Sequence, residues 1–335
     1  MTRAGAEVES DENGLHRRAG RDLCGIGGVP VDSLREVLEM AAALASARHD
    51  TLTEVLRGRT VLCFFGEPST RTRLSFEVAA RRLGAEVMGF GNDQTTSAAK
   101  GETPLDAARN LDAMGVDAFV VRDRHEGWSQ VLCHYLRARV INAGDGCGEH
   151  PTQALADALT ILEAFGRRPE MGANALAGLR VALCGDIRRG RVAHSNLLLL
   201  PRLGAEVVVA GPTGMIDAAA LPEGVALAGS LEEALAGSQV VMMLRIQRER
   251  ASGGLEASDD AYHAGWGLSA ARLAAADPRA IVMHPGPLNR GVEIADEVAD
   301  GPRSRILRQV TLGVAVRMVV LARACGRMDA LREVL

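Results

Sequence analysis

The chain is predicted to be an α/β protein of two domains, each a parallel sheet flanked by helices, with interdomain helices joining them. Three observations carry this. Short apolar runs rich in Val, Ile and Leu alternate along the chain with segments of helical period. The alternation occurs twice, with glycines 144, 146 and 148 marking the break. At 335 residues the chain is long for one core, so two domains are expected.

The elements follow in order. Met1 to Asp22 is polar and mixed in charge, without an apolar h-region, and is read as a disordered tail. Val31 to Arg48 carries Leu34, Val37, Leu38, Ala41, Leu44 and Ala45 at helical spacing. Thr60–Phe65 reads as a buried strand, residues 70–83 as a helix stopped by Gly84, and residues 86–90 as a strand. After a polar loop, Asn92 to Lys100, come a helix from Thr103 to Met114, a strand 118–122, a helix 127–135 and a strand 140–142. In the second half, a helix opens at His150-Pro151-Thr152-Gln153. Strands are predicted at 179–184, 206–210, 240–244 and 280–283, with a helix at 194–203. A last helix, Ile306 to Ala324, is expected to pack back on the first domain. The domains are thus placed at 23–149, completed by residues 306–335, and at 150–305.

Composition excludes several classes. A net charge of −4 gives no general attraction to nucleic acid or an anionic membrane, and an aromatic share of 3% argues against base-stacking platforms. The apolar runs are too short to span a bilayer. Six cysteines show no C-x-x-C pair, so neither a disulfide framework nor a zinc site is expected, and a reducing cytoplasm fits. Cys63 and Cys184 lie in strand-like runs and read as buried thiols.

The most informative segment is Glu67-Pro68-Ser69-Thr70-Arg71-Thr72-Arg73, where a strand hands over to a helix. A helix N-terminus offers unpaired N–H groups and partial positive charge to an anion. Three hydroxyls and two planar guanidiniums add donors suited to phosphate. The alternative is that Ser69 serves only as an N-cap beside solvated arginines. Open parallel sheets bind ligands beyond the C-terminal ends of their strands, and Arg122, His150, Arg245, Gln247 and His284 all fall there. Each alone has a structural reading, as a surface ion pair or a helix-start residue. Together they point to a site. Lys100 is the only lysine in the chain, on a loop that could close over a phosphate. Cys184-Gly185-Asp186-Ile187-Arg188-Arg189-Gly190-Arg191 lacks the second glycine of a dinucleotide turn, and its arginines suggest carboxylate recognition or a solvated cluster. That disfavours a dehydrogenase.

Ser69-Thr70-Arg71-Thr72-Arg73 resembles the phosphate-binding signature of the aspartate/ornithine carbamoyltransferases. The resemblance runs from about Leu23 to the C-terminus. Lys100-Gly101-Glu102-Thr103 is similar to the mobile loop of the aspartate branch, and His150-Pro151-Thr152-Gln153 to the family's carbamoyl-binding helix start. Gly190 to Ser195 and Leu244 to Arg250 resemble its aspartate-binding segments, and His284 to Ile294 its late loop. The ornithine branch typically carries His-Cys-Leu-Pro there, and no cysteine is near. Gly66, an apparent extra residue before Glu67, leans locally towards the ornithine branch.

The resemblance implies transfer of a carbamoyl group from carbamoyl phosphate to L-aspartate, the committed step of pyrimidine synthesis, without metal or organic cofactor. It implies that Ser69, Thr70, Arg71, Thr72 and Arg122 hold the phosphate. His150, Gln153, Pro285 and Gly286 would complete the carbamoyl phosphate site, with Thr72, Arg122 and His150 on the developing oxyanion. Lys100 and a loop hydroxyl, Ser97 or Thr96, would arrive from a neighbouring subunit of a homotrimer. Arg191, Arg245 and Gln247, with Lys100, would take aspartate. A regulatory chain or a dihydroorotase stays open as a partner. The rivals are a transferase using ornithine or an acylated ornithine, and a non-catalytic scaffold of the same fold.

Overall fold

The computed structural model describes residues 8–10, 16–18, 20–46, 49–91, 102–247 and 258–335. The chain divides into two compact units. The first comprises residues 1–29, 40–146 and 314–335, and the second residues 30–39 and 147–313. Within the segment read as a disordered tail, β1 (Val8–Ser10) pairs antiparallel with β2 (His16–Arg18). Helix α1 (Val31–Ser46) begins in the second unit and ends in the first. Its periodic residues Leu34, Val37, Leu38, Ala41 and Leu44 are all buried.

In the first unit, β3 (Thr60–Phe65), α2 (Thr70–Arg82), β4 (Glu86–Gly91), α3 (Pro104–Ala113), β5 (Ala118–Asp123), α4 (Trp128–Tyr135) and β6 (Arg139–Asp145) follow in turn. The four strands form one parallel sheet in the order β4-β3-β5-β6. Leu62, Phe64, Phe119, Val121 and Val140 are buried on one face of the sheet and Val61, Cys63, Val120 and Ile141 on the other, which explains why these strands read as continuous apolar runs. Gly84 ends α2 at φ +83°, where a Cβ would sit 1.7 Å from the Thr53 carbonyl oxygen, so only glycine fits. Thr103 caps α3, accepting the Asp106 N–H, and Glu102 instead accepts from Asn110.

The second unit contains α5 (Pro151–Ala164), β7 (Arg180–Cys184), α6 (Arg191–Leu199), β8 (Glu206–Ala210), β9 (Ala226–Leu227), α7 (Leu231–Leu235), β10 (Val240–Met243), α8 (Asp259–Trp266), α9 (Ala270–Leu273), β11 (Ile281–Met283) and α10 (Asp296–Ala299). Its parallel sheet runs β11-β10-β7-β8-β9. Helix α11 (Ile306–Ala324) passes from the second unit to the first after Gly313, and α12 (Met328–Glu333) follows it. α1 and α11 are thus the helices that join the units.

Both sheets reverse their direction of growth. In the first, β4 lies on one side of β3 and β5 on the other; in the second, β8 and β10 flank β7 in the same way. Such switch points open a crevice beyond the strand ends. Among the described residues no helix is long and apolar enough to cross a membrane. The absence of a disulfide framework needs one correction: the Cys24 and Cys133 sulfurs meet, with Cα atoms 7.7 Å apart. Burial holds the Cys63 and Cys184 thiols up at about 12, so both are inert.

Candidate active site

The switch point of the first unit is occupied by the Ser69–Arg73 turn and by Arg122. Ser69 sits at the N-cap of α2 in extended backbone, and its hydroxyl makes no cap hydrogen bond. The hydroxyl-as-cap reading therefore fails. Thr70, Arg71 and Thr72 form the first turn, where N–H groups have no partner further back in the helix. Arg71 is exposed and Thr72 half-buried.

Arg122, near the end of β5, is held at both ends. Its guanidinium donates to the Ala143 carbonyl at 3.3 Å and to Glu67 Oε1 at 3.1 Å, with the side chain 11% exposed. Its carbonyl accepts the Gly66 N–H at 2.8 Å. Glu67 thus fixes the direction of a cation beside the Ser69–Arg73 turn, a role the sequence reading missed. Gly66 has a local cause. A Cβ there would lie 2.1 Å from Asp123 Oδ2, and Asp123 in turn accepts from the His125 N–H at 2.9 Å.

In the second unit His150 is buried at the N-cap of α5, followed by Pro151 at the first helical position. Its N–H donates to Ser195 Oγ at 2.9 Å, and Ser195 donates to Glu149 Oε2 at 3.0 Å. His194 Nδ1 lies 2.6 Å from the Cys147 carbonyl oxygen. A carbonyl only accepts, so Nδ1 carries the proton. α6 therefore braces the loop that leads to His150.

The second switch point holds the basic segments. Arg191 opens α6 and is buried. Arg245 and Gln247 follow β10, and Arg245 donates to Gln247 Oε1 at 3.2 Å. Buried Asp186, after β7, accepts the Gln247 N–H at 3.3 Å and the Arg189 N–H at 3.2 Å. It ties the ends of β7 and β10 together. Arg189 reaches Asp186 at 3.4 Å, and Arg188 is exposed. Gly185, at φ +131°, leaves room for the Leu244 carbonyl, which a Cβ would meet at 2.6 Å.

The loop after β11 is built around a buried pair. His284 Nδ1 accepts the Gly286 N–H at 2.8 Å, which places the ring proton on Nε2, 3.1 Å from Glu293 Oε1. Glu293 also accepts the Asn289 N–H at 2.7 Å. With the Gly286 N–H committed to His284 and prolines on both sides of it, the backbone from Pro285 to Pro287 offers a ligand only carbonyl acceptors. The structure therefore brings together Ser69, Thr70, Arg71, Thr72 and Arg122 in the first unit. In the second it groups Arg245 with Gln247 and braces His150 from α6. Ser97, Thr96 and Lys100 lie outside the described residues.

Two family sequence profiles match the chain. The carbamoyl-P binding domain of the aspartate/ornithine carbamoyltransferases matches residues 21–163, and their Asp/Orn binding domain matches residues 177–324. The aspartate carbamoyltransferase catalytic subunits of Beijerinckia indica and Sorangium cellulosum are 48% and 49% identical to it over 303 residues. Those alignments cover 90% of this chain and 93% and 92% of theirs. Among solved structures, aspartate transcarbamoylase from Trypanosoma cruzi, in complex with carbamoyl aspartate and phosphate, aligns with TM-score 0.76 at 29% identity. The alignment covers 91% of this chain and 95% of that one. Ornithine carbamoyltransferase from Thermus thermophilus aligns with TM-score 0.77 at 28% identity, covering 90% and 99%. Matched in both halves by the family's own domains, this chain belongs to the aspartate/ornithine carbamoyltransferase family.

Proposed function

We propose that this chain transfers the carbamoyl group of carbamoyl phosphate to the amine of L-aspartate, giving N-carbamoyl-L-aspartate and phosphate. The observation that carries the choice of acceptor is the Arg245–Gln247 pair, fastened by Asp186 at the end of β10. Aspartate brings two carboxylates, which guanidinium forks meet in bidentate fashion. The cationic side chain of ornithine would ask for an acid or a thiolate instead. The relatives near half identity, all aspartate carbamoyltransferase catalytic subunits, support the same branch. Asp123 accounts for glycine at position 66, and the local lean of the extra residue towards ornithine is outweighed by these relatives.

In this reading Ser69, Thr70, Arg71, Thr72 and Arg122 hold the phosphate. The amine attacks the carbamoyl carbon, charge grows on the carbonyl oxygen, and Thr72, Arg122 and His150 stabilise it as preset donors. The bond to the bridging phosphate oxygen breaks, and the departing phosphate takes the amine proton. Gln153, Pro285 and Gly286 orient the carbamoyl group, and Arg191, Arg245 and Gln247 orient aspartate. Much of the rate comes from holding two anions in line. Lys100 and Ser97 are assigned to a neighbouring subunit's contribution, in a homotrimer working in the cytoplasm on the pyrimidine pathway. Exposed Leu74 and Val78 on α2 and Met88 on β4 support self-association of the first unit.

The test is phosphate release from carbamoyl phosphate by the purified chain with L-aspartate and then L-ornithine as acceptor. Aspartate-dependent turnover is expected. Ornithine-dependent turnover would move the chain to the sister branch, and none with either would favour the scaffold reading.

A further inference from the structure

One buried carboxylate in the second unit gathers three side-chain amides. Asp157, on α5, is fully buried. Its Oδ1 accepts from Gln153 Nε2 and from Gln309 Nε2, both at 2.8 Å, and its Oδ2 accepts from Asn196 Nδ2 at 2.9 Å. The donors come from the first turn of α5, from α6 five residues after Arg191, and from α11. Gln309 and Asn196 are themselves buried. The chain of bonds continues: Gln309 Oε1 accepts the His284 N–H at 2.9 Å, and His284 holds the Gly286 N–H.

An ionised carboxylate can only accept. The two ends of an amide are nearly the same shape and opposite in hydrogen-bonding character, so the partner decides which end faces which way. Asp157 therefore draws the NH2 end of all three amides. For Gln309 this leaves the carbonyl end on His284, as observed. For Gln153 it leaves the carbonyl oxygen as the end turned away from Asp157. A carbamoyl NH2 presents two donors and needs acceptors.

We propose that Asp157 is a positioning residue for carbamoyl recognition. It sets the polarity of the Gln153 amide so that its carbonyl oxygen meets the carbamoyl NH2, and through Gln309 it holds the His284–Gly286 backbone. The proposal rests on the function given above. Asp157→Leu is close in size and removes both acceptor oxygens, so nothing on α5 then selects which end of the Gln153 or Gln309 amide faces residue 157.

The experiment uses the full chain and calorimetric titration with carbamoyl phosphate and, separately, with inorganic phosphate. Asp157→Leu is expected to weaken carbamoyl phosphate about tenfold, the size of one misdirected buried hydrogen bond. Inorganic phosphate should stay within about twofold, because the Ser69–Arg71 turn belongs to the first unit. A merely structural role would weaken both alike or neither, and either result overturns the proposal. If Asp157→Leu does not fold, Gln309→Met decides by the same selective loss: equal losses, or none, overturn it. Wild-type turnover on aspartate is measured alongside. Its absence, with carbamoyl phosphate still bound, would strike the function and leave the Asp157 result readable.

Discussion

Arg122 shows how a single side chain is oriented in advance for the role proposed for it. Glu67 and the Ala143 carbonyl hold its guanidinium on two sides, so little reorganisation is left for the reaction. Glu67→Gln keeps the volume and removes the charge, and kcat is expected to fall about tenfold with the melting temperature little changed. Steady-state kinetics beside a thermal melt would check this. Arg71→Ala should lower kcat by about a hundredfold or more while leaving a folded chain; near-normal turnover would remove Arg71 from the phosphate site. Arg245→Ala should raise the KM for aspartate by about tenfold or more and leave the KM for carbamoyl phosphate alone.

At the scale of elements, the joints between strands and helices carry the constraints. Gly84→Ala would drive a methyl into the Thr53 carbonyl at positive φ, and a loss of more than about 3 kcal/mol is expected by denaturant titration. Arg308 on α11 donates to Glu163 on α5, and this holds the Glu163 carboxyl below its usual range. A depressed folded-state pKa gives stability that is present above the unfolded value and lost as the pH falls through the folded one. Both side chains are more than a third exposed, so the contribution is below about 1 kcal/mol. The stability gap between wild type and Glu163→Gln should therefore close as the pH drops from 7 towards 3.

The long strands and helices were legible because burial on both faces leaves an apolar run and burial on one face leaves a period. β9 and α7, of two and five residues, are too short to show a period. Ser230, Ser258 and Ser269 each accept an N–H three residues on, so a search for N-caps would have found α7, α8 and α9. The turn proposed to hold phosphate was legible because its residues are contiguous. Glu67 with Arg122, Asp186 with Gln247 and Asp157 with Gln309 were not. Their partners lie 55, 61 and 152 positions away, and only the folded sheets bring them together.

For the whole molecule, the proposed self-association has the clearest handle. Leu74 and Val78 lie one helical turn apart on α2, and with Met88 they present apolar surface to solvent in a single chain. Leu74→Glu is expected to shift the assembly measured by light scattering towards single chains and to lower activity with it. The division of the chain has a consequence for its birth on the ribosome. The first unit needs residues 314–335, which are translated after all of the second. Its sheet strands emerge early and must wait, unfinished, while some 170 further residues are made; at roughly 5–20 residues per second that delay is on the order of ten seconds or more. Residues 40–146 are thus the stretch in greatest need of a chaperone during synthesis, and a stop codon close to the C-terminus would harm the first unit while leaving the second complete.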